Sequence, residues 1–351
     1  MDRIIRDGSR ECRILKEASI EARKVQLSVV IPSYNTAEFI QAAIRSVTEQ
    51  TFGGLEIIVV DDGSSDDSIQ RIMALDDERL TCVYQENRGL AGARNTGILL
   101  ARGEFIGFLD ADDIWYPQKA ETHLRVMQVD PKIGLTFSYS AYLDEAGSET
   151  GQFLTSSCAA PTPRDLILRN HVGNGSAPIL RRECFLRSGN FNESLRYAED
   201  IEMWLRISVR SGLTLHLIPE VLTGYRVRQG SLTNIVEGMT QNAEILVRSF
   251  RDALPGLSDR DADRAFAQIL RVASRKAFSG GQVQASRKLL LTAWRRSPSL
   301  PIYDVKALAL FALNVCALVL PISGLRAVYA GMRRVTKFVY ALAGLRSPAS
   351  V

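Results

Sequence analysis

The ten residues EFIGFLDADD, Glu104–Asp113, run from an apolar stretch straight into the carboxylates Asp110, Asp112 and Asp113. A short, uninterrupted apolar run bounded by polar residues reads as a strand buried on both faces, as in a parallel sheet. Toward the N-terminus the same grammar recurs. LSVVIPSYN (Leu27–Asn35) is an apolar, β-branched run closed by Pro32, and LEIIVVDDGSSDDS (Leu55–Ser68) stops at Asp61 and Asp62. A third strand lies around TCVYQENRG (Thr81–Gly89), residues 37–50 have a helical period, and LAGARNTGILLARG (Leu90–Gly103) reads as a helix. Strands alternating with helices at this spacing predict an α/β layer with a parallel core, with ordered structure beginning at Leu27.

In open α/β sheets, ligands collect beyond the carboxyl ends of the strands. Three of these strands place polar residues there: Pro32, Ser33, Tyr34 and Asn35; Asp61 and Asp62; Asp110, Asp112 and Asp113. The spacing of Asp110-Ala111-Asp112 lets a bent backbone aim both carboxylates at one divalent ion, and hard oxygen ligands favour Mg²⁺ or Mn²⁺ over zinc. Such an ion would stabilise a departing diphosphate. The competing role for these aspartates is to cap a helix starting near Ile114. Asp61 or Asp62 can accept the imide N–H of uracil or a ribose hydroxyl, or sit with Asp66 and Asp67 in a solvated turn.

NRGLAGARNTG (Asn87–Gly97) combines glycines, which let backbone approach closely, with Arg88 and Arg94, whose guanidinium groups suit phosphate. Arg88 is the better phosphate candidate, while Ala91, Gly92 and Ala93 suit packing against the sheet. In AEDIEMWLRI (Ala198–Ile207), Glu199 and Asp200 open a helix. A positioned carboxylate there can take the proton from an acceptor hydroxyl, or merely favour the helix dipole. Arg226 and Arg228 in YRVRQGSLT (Tyr225–Thr233) either contact phosphate or face solvent.

Between these motifs, WYPQKAETHLRVMQ (Trp115–Gln128) reads as a helix and KIGLTFSYSAYLDEAG (Lys132–Gly147) as a strand ended by a turn. Gly151–Pro163 is rich in Ser, Thr, Pro and Ala and reads as a mobile loop. Asn174–Gly212 supplies a strand, a short helix, a loop and a longer helix starting near Glu199. From Glu237 onward helices replace strands, which divides the chain into a charged extension (1–26), an α/β domain (27–236) and a helical C-terminal region (237–351).

The chain has 351 residues, 46% of them hydrophobic, and 43 Lys and Arg against 39 Asp and Glu. A net charge of +4, dispersed along the chain, argues against nucleic acid as a partner. Five scattered cysteines without a CxxC pair imply neither a disulfide framework nor a zinc site. His123, His171 and His216 have no spacing that suggests a metal centre or a triad, so all three read as structural. The charged first 27 residues lack the apolar core of a secretion signal, which places the chain in the cytoplasm.

Taken together, VVIPSYN, IIVVDDGSSDDS, NRGLAGARNTG, FLDADD and AEDIEMW resemble the family 2 glycosyltransferases in order and spacing over Leu27–Thr233. The resemblance implies the Rossmann-like GT-A fold: a mixed, mostly parallel sheet with flanking helices, here with a C-terminal helical extension. It also implies a nucleotide-diphosphate sugar donor, commonly a UDP-sugar, with Mn²⁺ or Mg²⁺, and inversion at the anomeric carbon by one in-line displacement. By position, Pro32, Ser33 and Tyr34 would line the nucleotide, Asp61 or Asp62 would bind the base, and Arg88 would lie near the nucleotide. Asp110, with Ala111 beside it, would touch ribose or metal-bound water, Asp112 would ligate the metal, and Asp200 would be the general base supported by Glu199. The chain lacks the QxxRW-type motif of processive synthases, so the resemblance points to transfer of a single sugar to a glycan or lipid-linked acceptor.

Two other classes compete. A sugar nucleotidyltransferase needs a glycine- and arginine-rich loop after the first strand, and PSYNTAEF (Pro32–Phe39) supplies none. A non-catalytic nucleotide-sugar-binding scaffold at the membrane has no need of Asp112 and Asp200. In the tail, Ala307–Leu325 holds 19 residues without a charge, near the roughly 20 that span a bilayer. Beyond it Arg326, Arg333, Arg334 and Lys337 alternate with apolar residues, and no acidic residue follows Asp304. This pattern suits a helix lying on the cytoplasmic face of an anionic membrane, or equally a buried helical pair.

Overall fold

Every residue of β3 (Leu27–Ser33), β4 (Leu55–Asp61) and β6 (Phe105–Phe108) is buried, as continuous apolar runs require of a central parallel sheet. The computed structural model describes residues 3–7, 10–19, 25–227, 236–279 and 282–299, with positions 310, 312 and 314 beyond them. Strand β4 pairs in parallel with β3 and with β5 (Leu80–Gln85), and β3 pairs in parallel with β6. Ser33 lies opposite Asp61, and Val30 opposite Phe108, so the three carboxyl ends open on one edge of the sheet.

The flanking helices follow from apolar faces. In α1 (Ile40–Thr48) the buried Ile40, Ala43, Ile44 and Val47 recur at helical spacing and meet Leu27, Val29, Ile31, Ile57 and Val59 in one core cluster. Each fully buried aliphatic side chain there contributes about 1.5–3 kcal/mol. Helix α2 (Ser68–Met73) follows β4, and α3 (Gly89–Leu100) lies directly against β3. Gly97 makes that approach possible, since a Cβ at its position would lie 2.2 Å from Val30 Cγ1.

Beyond β6 come β7 (Ile114–Trp115), α4 (Lys119–Val129), β8 (Ile133–Leu143), β9 (Glu149–Leu154) and α5 (Pro163–Leu168). Then follow β10 (Pro178–Arg181), α6 (Arg182–Ser188), α7 (Glu199–Arg210) and β11 (Thr214–Arg226). Strand β10 is antiparallel to β6 and β8, while β11 runs parallel to β8 and antiparallel to β7. The result is the expected α/β class, a mixed, mostly parallel sheet with flanking helices.

Three expectations need correction. Order does not begin at Leu27: β1 (Arg3–Asp7) and β2 (Arg10–Lys16) form an antiparallel hairpin that joins the sheet edge at β5. In β2, Cys12 and Ile14 point inward between charged outward residues, a two-residue period hidden by the charge of the segment. The presumed loop from Gly151 is in part strand, because β9 pairs its backbone with β8 although its side chains face solvent. No helix starts at Ile114, which instead enters β7, opposite Gly224.

The described residues fall into two compact units, one within Met1–Leu166 and Asn170–Val227, the other within Ile167–Arg169 and Arg228–Val351. In the second, α8 (Val236–Ala253), α9 (Asp259–Ser279) and α10 (Val283–Arg296) pack through residues such as Phe250, Phe266, Leu270, Leu289 and Leu290. The apolar stretch 307–325 and the basic segment after it lie outside the described residues, save 310, 312 and 314. Of these, Asn314 donates from Nδ2 to Ser286 Oγ at 3.1 Å on α10. Among the described residues, no helix is long and apolar enough to cross a membrane.

Gly97→Ala is expected to destabilise the protein by about 1–3 kcal/mol through overpacking against Val30. Gly53→Ala, where a Cβ meets nothing within 4 Å, should stay within about 0.5 kcal/mol. Urea unfolding of both variants checks the contrast.

Candidate active site

The backbone leaving β6 turns at once. Asp113 N–H donates to Asp110 O at 2.9 Å, and β7 carries the chain away toward β11. This turn gives the aspartates three different environments. Asp113 is 1% exposed, with Oδ2 accepting from Ser176 Oγ at 2.6 Å and Oδ1 from Arg226 N at 2.9 Å. Burial, with the like charges of Asp112 and Asp110, raises its pKa well above the usual carboxylate range. It is a structural pin. Asp110 and Asp112 are only partly buried.

A second segment holds this turn from behind. Ser176 Oγ also accepts from Asp110 N–H at 2.9 Å, while Asn174 Oδ1 accepts from Ser176 N–H and Asn174 Nδ2 donates to Ser140 Oγ. The next carbonyl, Ala177 O, accepts from Lys119 Nζ at 2.7 Å; that ammonium is fully buried, and burial drives its pKa well down. Arg226 is buried, 8% exposed, and does not simply face solvent. Its Nε donates to Asp112 O at 2.8 Å and Nη1 to Glu145 O at 2.8 Å, and the guanidinium carbon lies 5.0 Å from the Phe39 ring centre.

The nucleotide candidates lie along the edge formed by β3 and β4. Pro32 and Ser33 are buried, Ser33 Oγ sits 2.8 Å from Thr36 Oγ1, and Tyr34 is 53% exposed. The two strand-end loops are stapled together: Asn35 N–H donates to Ser64 Oγ at 2.9 Å, Ser65 N–H to Asn35 Oδ1 at 2.8 Å, and Ala37 N–H to Asp66 Oδ2 at 3.0 Å. Asp61 and Asp62 differ in kind. Asp62 Oδ1 is occupied by Gln85 Nε2 at 2.6 Å and Arg88 N–H at 2.8 Å. Asp61 Oδ1 accepts from Ser64 N–H, but its Oδ2 is buried and accepts no hydrogen bond from the described residues. Burial raises the pKa of both, against the hydrogen bonds of Ser64 for one and of Arg88 and Gln85 for the other.

Arg88, at the start of α3, and Arg94, within it, both pair with carboxylates. Arg88 directs Nη2 to Glu193 Oε1 at 2.7 Å and Nη1 to Thr96 Oγ1 at 3.2 Å. Glu193 takes Asn95 Nδ2 and Arg10 Nη1 as well, so the N-terminal hairpin reaches the same knot. Arg94 is 1% exposed. Its Nη2 donates to Asp110 Oδ1 at 2.8 Å and its Nη1 to Glu199 Oε1 at 2.7 Å. Burial works against its charge, yet Asp110, Glu199 and Asp200 hold the guanidinium pKa above its ordinary value.

Arg94 rests on an aromatic floor, 5.8 Å from the ring centre of Phe108 in β6 and 5.4 Å from that of Phe191. Phe191 in turn meets Trp204 of α7 edge-on at 6.0 Å. These contacts bring the start of α7 to the end of β6, so that Arg94 joins Glu199, next to Asp200, to Asp110, two residues before Asp112. Glu199 is 5% exposed; burial and the like charge of Asp200 outweigh the attraction of Arg94 and push its pKa up to about 7. Asp200 is half-buried at the mouth.

Among the described residues, no group of three or more His, Cys, Asp or Glu is placed to hold a metal ion. The donor set that does stand at the strand end is a pair of carboxylates, Asp110 and Asp112. Two carboxylates fit a hard ion such as Mg²⁺ or Mn²⁺ that takes its other ligands from water and a substrate diphosphate. Asn174, Gly175 and Ser176 belong to no recognisable motif, and spacing alone favours Arg88 over Arg94. The run of small and polar residues in NGS directly before the strand APIL was the available signal.

Residues 28–187 match the family model described as Glycosyl transferase family 2. The chain is 31% identical over 210 residues to the Escherichia coli UDP-Glc:alpha-D-GlcNAc-diphosphoundecaprenol beta-1,3-glucosyltransferase WfgD, covering 59% of this chain and 79% of that one. It is 29% identical over 237 residues to an uncharacterized glycosyltransferase of Rickettsia typhi, covering 64% of this chain and 71% of that one. Among solved structures, S. aureus TarS in complex with UDP-GlcNAc aligns over 88% of this chain and 92% of that one, with a TM-score of 0.60 at 19% identity. The mannosyltransferase PcManGT from Pyrobaculum calidifontis, in complex with GDP-Man and Mn²⁺, aligns over 87% and 84% with a TM-score of 0.53 at 22% identity. These likenesses concern the fold, the GT-A arrangement that the sequence resemblance implied.

The raised pKa of Glu199 has a measurable consequence. Its folded value of about 7 exceeds the ordinary 4.5, so the native state binds more protons in that window, and stability falls as pH rises through it. Glu199→Gln removes this loss. The melting temperature of Glu199→Gln minus that of the wild type should therefore grow between about pH 4.5 and 7 and level off above; a flat difference would contradict the assignment.

Proposed function

The chain belongs to glycosyl transferase family 2, and from that premise we propose that it is an inverting enzyme that moves a single sugar from a UDP-sugar to a hydroxyl acceptor. The observation that carries this reading is the meeting of two carboxylate pairs, Asp110 with Asp112 and Glu199 with Asp200, around one crevice at the strand ends. The domain from 27 to 236 would carry the chemistry, followed along the chain by the helical region 237–351. The acceptor is a glycan or lipid-linked sugar in cell-surface polysaccharide or glycolipid assembly, in keeping with the lipid-linked acceptor in the name of the E. coli relative.

Asp61 is the better base reader of its pair. Its buried Oδ2 lacks a hydrogen bond that the imide N–H of uracil would supply, whereas Asp62 is already occupied. Pro32, Ser33 and Tyr34 line the same edge. Arg88, tied to Glu193, shapes the pocket from below more than it grips phosphate. Asp112, with Asp110, would hold Mn²⁺ or Mg²⁺, which when bound neutralises the charge of the departing diphosphate.

In the transfer, the acceptor oxygen attacks the anomeric carbon from the face opposite the diphosphate. Its proton passes to the Asp200 carboxylate as the new C–O bond forms, and the electron pair of the broken bond leaves with the UDP. A positioned general base of this kind contributes about 10²–10⁴-fold in rate. Glu199, buried and bonded to Arg94, is not free to turn toward the acceptor; Asp200 is the member of the pair at the mouth. The basic, acid-free tail after Asp304 supports peripheral attachment at the cytoplasmic face of a membrane, where lipid-linked acceptors lie.

Asp200→Asn is expected to keep UDP affinity by calorimetry while abolishing transfer; retained transfer with weakened UDP binding would sink the assignment. Asp61→Leu should weaken UDP binding about 10–100-fold, the size of a lost hydrogen bond to a charged group. In thermal-shift assays UDP should stabilise the wild type more with Mn²⁺ than without, and Asp112→Asn should erase that difference.

A further inference from the structure

Helix α3 sets its arginine among small residues, with Ala93 before it, and turns it inward, where a guanidinium is costly unless its fork finds acceptors. Both ends of the fork are met, and by carboxylates from different parts of the chain. Nη2 reaches Asp110 at the end of β6, and Nη1 reaches Glu199 in the first turn of α7. A planar fork with donors on separate nitrogens spans two carboxylates held apart, a span that the three donors of a single lysine nitrogen do not reach. Gly175 keeps the space open, since a Cβ there would lie 2.3 Å from Arg94 Nη2 and 3.2 Å from Asp110 Oδ2.

The first turn of α7 needs such an anchor. Its cap residue, Ala198, holds a left-handed backbone with φ of 58°, which an alanine adopts only when its surroundings impose it. Glu199 follows at once and Asp200 comes next. The direction of the Asp200 carboxylate thus depends on where Glu199 is held.

We infer that Arg94 is a positioning residue for the transfer step: by gripping Glu199 and Asp110 together, it sets the place of Asp200 relative to the donor-binding strand end. This rests on the proposed function, with Asp200 as the base. Arg94 contacts Asp110 but not Asp61, which would read the base. Its loss should therefore slow turnover far more than it loosens the nucleotide.

The test uses the full chain, uridine diphosphate as the binding probe, and hydrolysis of a UDP-sugar that the wild type turns over. Arg94→Lys keeps the charge but not the fork, and Gly175→Ala displaces the guanidinium from outside. Both are expected to lower kcat about 100-fold, the effect of misplacing a reacting group by an ångström. The donor KM and the Kd for UDP should stay within about threefold. Glu199→Gln, which keeps an acceptor oxygen for Nη1, should hold a kcat at least about tenfold above that of Glu199→Ala.

Three results overturn the inference: UDP affinity falling in step with kcat, Glu199→Gln as inactive as Glu199→Ala, or full kcat in Arg94→Lys and Gly175→Ala. The second would make Glu199 itself the proton acceptor. Should Arg94→Lys fail to fold, the Gly175 and Glu199 variants decide by the same criteria. A wild type that neither binds UDP nor hydrolyses any UDP-sugar overturns the proposed function and this inference with it, whereas the patterns above overturn this inference alone.

Discussion

One buried guanidinium joins the two halves of the site. Arg94 carries its charge into a place where water is excluded, and the cost is offset only because Asp110 and Glu199 meet it from opposite sides over the rings of Phe108 and Phe191. Removing either carboxylate leaves one end of the buried guanidinium without its acceptor. The contact therefore couples the sheet, which places Asp110, to α7, which places Asp200. Those two elements are separated by about ninety residues of chain, and the ion pairs, with the aromatic cluster from Phe108 to Trp204, close that distance.

Around this link the protein uses its acidic residues for distinct purposes, and burial tells them apart. Asp113 is enclosed and bonded to Ser176 and Arg226, so it shapes the turn. Asp62 is tied to Gln85 and Arg88, so it shapes the pocket floor. Asp61 keeps a buried Oδ2 without a hydrogen bond from the described residues, and Asp110, Asp112 and Asp200 stay partly exposed. Basic residues divide in the same way: Lys119 and Arg226 support backbone carbonyls, and Arg88 supports Glu193. Cations near the site are thus spent mainly on holding the loops in place.

Much of this was legible in advance. The buried strands ending at Ser33, Asp61 and Phe108 were visible as apolar runs, since a parallel strand covered on both faces tolerates little else. The helix after Ala198 was visible in its apolar period and its opening acids. The N-terminal hairpin was not, because Cys12 and Ile14 show too short an alternation within a charged segment to outweigh its composition. Strand β9 was hidden for a related reason: an edge strand held by backbone pairing needs no apolar signature. Nor could spacing separate Asp61 from Asp62, or Arg94 from Arg88, because neighbours in a motif differ by which face of the backbone they leave.

By itself the sequence determined the buried parallel strands and the helices between them, the α/β class, and the location of the carboxylates at strand ends and at a helix start. These follow from local rules, hydrophobic period and chain direction, that act over a few residues at a time. Only the tertiary structure decided which of these carboxylates are enclosed and which partly exposed, and that Arg94 joins Asp110 to Glu199. Burial and hydrogen-bond satisfaction are properties of a packed neighbourhood, assembled from Asn174, Gly175, Glu193 and Phe191 as much as from the motifs. No stretch of chain read on its own contains them.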